Sequence, residues 1–199
     1  MRVAVIDAGG ANIGSVRYAL DRLGVASVLT ADADVIAASE RVILPGVGAG
    51  KVAMARLREL DLIQTIRSLQ QPLLGICLGM QLLFDSSEEG EVETLGLLAG
   101  RVTKLPEATG IRIPHMGWNQ LAIRRESPLL AGIESGAACY FVHSYAAPVT
   151  QDCIASSAHG LPFAAVVQRG NIAGAQFHPE RSGAVGARLL QNFIRSPLP

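Results

Sequence analysis

Apolar residues arrive along this chain in short runs that change period. Val3-Ala-Val-Ile6 is an unbroken apolar run of strand length, closed by Asp7 and a Gly9-Gly10 turn. Ile13, Val16, Leu20 and Leu23 then recur at the spacing of one helix face. Ser27 to Thr30 reads as a strand, and Arg41 to Leu44 as another, stopped by Pro45-Gly46. Leu62, Ile63, Ile66 and Leu69 mark a helix face, Pro72 to Ile76 a further strand, and Leu78 to Phe84 the start of a helix. A last strand, Ile172 to Gln176, leads to His178, and a helix from Gly183 to Arg195 carries Val185, Leu189 and Phe193 on one face. Strands that are apolar on both faces and alternate with helices predict an α/β fold whose central, mostly parallel sheet is flanked by helices on both sides. Between Leu97 and Val167 the runs become short and β-like, as in Arg101 to Leu105 and Cys139 to Val142. They read as an antiparallel extension of the sheet. The acidic stretch Ser86 to Glu93 reads as a solvated loop.

Composition narrows the function classes. With 199 residues, 49% hydrophobic and 17% charged, the chain has globular composition and enough length for one good core. Lys+Arg and Asp+Glu balance at 17 each, which leaves no electrostatic footprint for nucleic acid or an anionic membrane. A small neutral or zwitterionic ligand, or a protein partner, is expected instead. The apolar run at Val3 is cut by Asp7, unlike a signal peptide, and the uncharged run Ser135 to Gln151 carries His143, Ser144 and Pro148, unlike a membrane span. The three cysteines, Cys77, Cys139 and Cys153, are odd in number and widely spaced, which predicts a reducing, cytoplasmic setting.

Three short segments carry candidate chemistry. Gly75-Ile-Cys77-Leu-Gly79, between a buried strand and a helix, has the pattern of a nucleophile elbow with Cys in place of Ser. Backbone N–H groups at the start of the following helix favour a thiolate and can stabilise an oxyanion beside it. A small core cysteine in a tight turn fits the same residues. In Gln176-Phe-His178-Pro-Glu180, residues two apart on an extended backbone share a side, so Glu180 can orient His178 as a base. A strand-end histidine beside a surface glutamate is the plainer reading. Both segments end predicted strands, where open α/β sheets place their sites. Pro45-Gly-Val-Gly-Ala-Gly-Lys51 tempts toward a phosphate loop, but Pro45 and Val52 break that motif twice. As a glycine turn facing the elbow, it can offer a backbone N–H to an oxyanion.

Taken together, these segments resemble the class I, triad-type glutamine amidotransferases. Asn12, Pro45-Gly-Val-Gly48, Gly75-Ile-Cys-Leu-Gly-Met-Gln81, Pro114-His-Met-Gly-Trp-Asn119, Tyr140-Phe-Val-His-Ser-Tyr145 and Gln176-Phe-His-Pro-Glu-Arg-Ser182 are similar, within that class, to the family of glutaminase subunits of imidazole glycerol phosphate synthase. The elbow and the His-Pro-Glu motif belong to the whole class, and the Trp118 and Tyr145 segments are specific to the subunit family.

The resemblance implies one flavodoxin-like amidotransferase domain over residues 1–199, with no cofactor and no metal. It implies a triad of Cys77, His178 and Glu180, and an oxyanion hole of Leu78, Val47 and Gly48. It implies a glutamine pocket of Gln81, Val142, His143, Ser144 and Tyr145. It also implies docking to a (β/α)₈-barrel cyclase subunit in a heterodimer, with Asn12, Trp118 and Arg181 at the contact. Ammonia from glutamine would pass to that cyclase, a step of histidine biosynthesis. Other readings remain at this stage: another amidotransferase or a free-standing glutaminase, a cysteine peptidase or γ-glutamyl hydrolase, or a silent docking module. Cys139 and Cys153 read as spectators.

Overall fold

Residues Val3–Ile6 form β1, and their side chains divide between two cores. Val3 and Val5 join one apolar cluster with Ile43, Leu74 and Phe193, while Ala4 and Ile6 join a second with Leu44, Met54 and Leu73. A strand buried on both faces has no polar positions to show, which is why these strands read as continuous apolar runs. The computed structural model describes residues 1–9, 13–107 and 109–196.

The first half alternates: α1 (Ile13–Arg22), β2 (Ser27–Thr30), α2 (Ala33–Ala37), β3 (Arg41–Gly46), α3 (Gly50–Glu59), α4 (Leu62–Arg67), β4 (Leu73–Cys77) and α5 (Leu78–Gln81). The second half is mainly strand: β5 (Ser86–Ser87), β6 (Val92–Glu93), β7 (Arg101–Lys104), β8 (His115–Gln120), β9 (Ala122–Ile123), β10 (Ala138–His143), β11 (Tyr145–Ala146), β12 (Cys153–His159), β13 (Leu161–Arg169) and β14 (Ile172–Ala175), closed by α6 (Gly183–Arg195). The main sheet has the order β2-β1-β3-β4-β14-β13-β12-β9. Its first five strands pair in parallel and the last three antiparallel. The parallel part follows the flavodoxin-like order.

Several expectations need correction. The antiparallel extension exists, but Arg101–Lys104 and Ala138–His143 are not in it. They lie in separate small sheets, β11-β7-β5-β6 and β10-β8. Period-two patterning marks a strand but does not name its neighbour. β3 does not stop at Pro45-Gly46, because Pro45 and Gly46 pair with Ile76 and Cys77 of β4. Helix α5 ends at Gln81 rather than running to Phe84. The carbonyls of Leu82, Leu83 and Phe84, which a longer helix would use, accept instead from the N–H groups of Leu95, of Leu97 and Leu98, and of Gly96, each at 2.8 Å. The acidic stretch is bonded, not merely solvated. Glu88 Oε2 accepts from Lys104 N, Glu89 Oε2 from Gly50 N at 2.8 Å, and Glu91 pairs with Arg101. Helices α2 and α3 carry too little apolar periodicity for the residue pattern to predict them.

Among the described residues, no helix is long and apolar enough to cross a membrane.

Candidate active site

β3, β4 and β14 are adjacent parallel strands, so the segments that follow them emerge side by side at one sheet edge. Those segments are the glycine turn, the Cys77 elbow and the His178 motif, far apart in the chain. Parallel pairing alone brings them together.

The elbow is tight. Cys77 is held at φ 54° and ψ −112°, a conformation that costs a non-glycine residue on the order of 1–3 kcal/mol. Its neighbours are glycine for steric reasons. A Cβ on Gly75 would stand 2.6 Å from Gly79 O, and one on Gly79 would stand 1.8 Å from Leu44 O. Gly46 serves the same closeness from the other side, since its Cβ would meet Gly79 N at 2.8 Å. Gly48 differs: at φ +92° it needs glycine for its backbone angle.

His178 follows β14 and contacts Glu180 through Nδ1···Oε1 at 2.8 Å. The two side chains are 7% and 1% exposed. The contact is not made on an extended strand, as expected, but across a 3₁₀ turn over Pro179–Arg181. Proline's fixed φ suits the first position of such a turn and folds Glu180 back under the ring. Burial works against the charged imidazole. Hydrogen bonds to Cys77 and Glu180, and the charges of both groups, outweigh it and push His178 up to about 10. The side chain of His178 is thus hydrogen-bonded both to Cys77 and to its carboxylate partner.

Cys77 and His178 open into a cavity of about 260 Å³. Val47, Gly48 and Leu78 line it, as do Gln81, Val142, His143, Ser144 and Tyr145. Every residue expected in the oxyanion hole or the glutamine pocket therefore faces this cavity. Glu180 lies behind His178 rather than on the wall. Two lining residues went unrecognised, Glu89 and Pro114. Pro114 opens the Pro114-His-Met-Gly-Trp-Asn119 segment, but Glu89 is hidden in an acidic run that reads as solvated. The ring nitrogens of His143 are both engaged, Nδ1 with Tyr145 O at 2.8 Å and Nε2 with His115 Nδ1 at 3.0 Å. Burial first, then the neighbouring histidines, push His143 down to about 3, despite its bond to Tyr145. The ring is therefore neutral.

Trp118 and Arg181 lie on the outer surface, apart from the cavity wall. Trp118 is 60% exposed, edge-on to Tyr140 at 5.9 Å, and the Arg181 guanidinium sits 5.1 Å above the same ring. Asn12 lies outside the described residues. No group of three or more His, Cys, Asp or Glu side chains among the described residues is placed to hold a metal ion.

The sequence matches the family model of glutamine amidotransferase class-I over residues 4–196. The chain belongs to the class I glutamine amidotransferases. Among curated amidotransferase-family relatives, it is 61% identical over 197 residues to the imidazole glycerol phosphate synthase subunit HisH of Xanthomonas axonopodis pv. citri, covering 99% of this chain and 98% of that one. The same subunit of Xylella fastidiosa is 60% identical over 192 residues, 96% of each chain. A solved glutamine amidotransferase structure superposes with a TM-score of 0.74 at 22% identity, covering 96% of both chains, a likeness of fold. Within the class I amidotransferases, the chain is thus of the HisH subunit type. It is a glutaminase subunit of imidazole glycerol phosphate synthase, and a subunit implies a partner.

Proposed function

We propose that the cavity at Cys77 is where this amidotransferase hydrolyses glutamine to glutamate and ammonia, and that the ammonia passes to a (β/α)₈-barrel cyclase subunit that makes imidazole glycerol phosphate in histidine biosynthesis. The observation that carries the assignment of residues is the convergence of Cys77, His178 and the glycine turn on one cavity. Cys77 Sγ attacks the side-chain amide carbon of glutamine. The oxyanion that forms is held by backbone N–H groups of Leu78 and of the Val47–Gly48 turn. His178 protonates the leaving nitrogen, and ammonia departs from a Cys77 thioester. His178 then takes a proton from water, whose oxygen attacks the thioester through a second oxyanion. Glutamate leaves and the sulfur is restored. Glu180 keeps the ring oriented and stabilises its charged form. Gln81, Ser144 and the Val142 and Tyr145 walls hold the substrate. Glu89 supplies a carboxylate on the same wall, complementary to the ammonium of an amino-acid substrate.

Docking on the face that carries Trp118 is supported by the strand register. Met116, Trp118, Tyr140 and Val142 share one face of the β8–β10 pair, with Trp118 opposite Tyr140 and Met116 opposite Val142. Met116 and Trp118 are 63% and 60% exposed, while Val142 reaches the cavity. A partner seated there, also touching Arg181, would lie beside the point where ammonia is released. Three free, buried cysteines fit a cytoplasmic setting.

The test is glutamate release by the purified chain, alone and with a cyclase subunit plus its nucleotide ligand. A large rise with both, abolished by Cys77→Ala, is expected. High activity without a partner would mark a free-standing glutaminase instead, and no activity in either mixture would defeat the mechanism.

A further inference from the structure

Gln176 opens the His178 motif, yet the mechanism above gives it no task. It is fully buried, at 0% exposure, just beyond β14, and its backbone N–H donates to Ala165 O at 2.9 Å. A buried amide must place both a donor and an acceptor. Gln176 does so between two groups of the active site. Its Oε1 accepts from Gln81 Nε2 at 2.9 Å, and its Nε2 faces Cys77 Sγ at 3.8 Å.

We propose that Gln176 is a positioning residue of the glutaminase reaction, joining Gln81, the side chain that meets the substrate, to the sulfur that attacks it.

Hydrogen counting sets the direction of both amides. Gln81 Nε2 has two hydrogens, and it spends them on Tyr145 O at 2.7 Å and on Gln176 Oε1. Gln81 therefore offers the cavity its Oε1, an acceptor for a substrate N–H. Gln176, receiving at Oε1, can only turn Nε2 toward the sulfur. The Tyr145 carbonyl is anchored in turn by His143 Nδ1–H. That tautomer leaves His143 Nε2 to accept from His115 Nδ1–H, and His115 Nε2 to accept from Asn119 Nδ2 at 3.2 Å. One set of tautomers and amide orientations satisfies every contact in the series, so the pose of Gln81 is determined from both ends. An N–H near the sulfur also favours negative charge on it, which the attacking form carries. A residue that only filled space would be replaced by methionine without kinetic effect.

The inference rests on the glutaminase reading, and the tests separate the two. Gln176→Met keeps the volume and removes both bonds. The expected result is a KM for glutamine raised about fivefold or more and a kcat reduced about tenfold or more, in complex with the cyclase subunit. Gln176→Glu keeps an acceptor for Gln81 but turns an oxygen toward the sulfur. KM should stay near wild type while kcat falls about tenfold, and Cys77 alkylation by iodoacetamide should need higher pH. Alkylation is read without glutamine, so it judges the sulfur contact even if turnover is never seen. Wild-type turnover in the same assay judges the glutaminase reading alone. Both variants within about twofold of wild type in kcat and KM, with an unchanged alkylation profile, would overturn the proposal. If Gln176→Glu does not fold, Gln176→Met decides by the same kinetic limits.

Discussion

Cys77 differs from the other two cysteines in what surrounds its sulfur. Its sulfur sits against His178 and the cavity, 3.7 Å from the Val142 carbonyl oxygen. Cys139 is buried in the core, and burial pushes its thiol up to about 12, against a bond from Ser182. Burial also raises Cys153. Because the thiolate is the reactive form, iodoacetamide at neutral pH should modify Cys77 alone in the folded protein, with loss of glutaminase activity. Peptide mass spectrometry would check this, and early label on Cys139 or Cys153 would contradict it. The elbow glycines invite a second test. Gly79→Ala forces a Cβ against the Leu44 carbonyl, where no side chain can yield, and should cost more than about 4 kcal/mol or prevent folding. Gly50→Ala, whose nearest contact would be 3.7 Å, should melt within a few degrees of wild type. Equal melting temperatures for the two variants would refute the steric account.

The β8–β10 pair is the element with two jobs. Its inner face buries His115, Cys139, Phe141 and His143, with Phe141 packed edge-on against Phe163 and Phe177 at 5.6 and 5.8 Å. Phe141→Ala should destabilise by about 3–5 kcal/mol, seen in the urea midpoint. The outer face leaves Met116 and Trp118 in water, though neither contributes to the core. If that face receives the cyclase subunit, Trp118→Ala should weaken the complex by at least about 2 kcal/mol and leave the melting temperature of the isolated chain nearly unchanged. Titration calorimetry against the partner measures the first, a thermal melt the second. Undiminished affinity would place the interface elsewhere.

Histidine protonation sets a stability profile for the molecule as a whole. Burial holds His115 down to about 4, helped by the charge of His159, and His143 down to about 3. The unfolded chain binds protons at both positions below about pH 6.5, while the folded chain does not. Stability from these two is therefore lost as pH falls from about 6.5 toward 4. His178 works the other way. Its folded value near 10 gives stability that is complete below about pH 6.5 and lost as pH rises through 10. The combined contribution peaks near pH 6.5. Urea midpoints measured at about pH 4.5, 6.5 and 9 should be highest in the middle, and a profile flat from 6.5 down to 4.5 would contradict the neutral His115–His143 pair.

Periodicity alone located the strands of the parallel sheet and the amphipathic helices α1 and α6. Gly183–Arg195 matches its expected ends, because burial on one face writes itself directly into residue order; Ser27–Thr30 matches too, although no residue of this edge strand is buried. Gly75-Ile-Cys77-Leu-Gly79 and Gln176-Phe-His178-Pro-Glu180 were legible because a tight turn and a paired histidine need particular residues at short range. Long-range pairing was not legible. That β7 and β10 leave the main sheet, that three carbonyls after Gln81 turn to the 95–98 segment, and that Glu89 reaches the cavity depend on contacts between residues far apart in the chain. No local pattern records such partners. Gln176 illustrates the limit best: its identity was visible in the motif, but its bonds to Gln81 and Cys77 exist only because β14 lies parallel to β4.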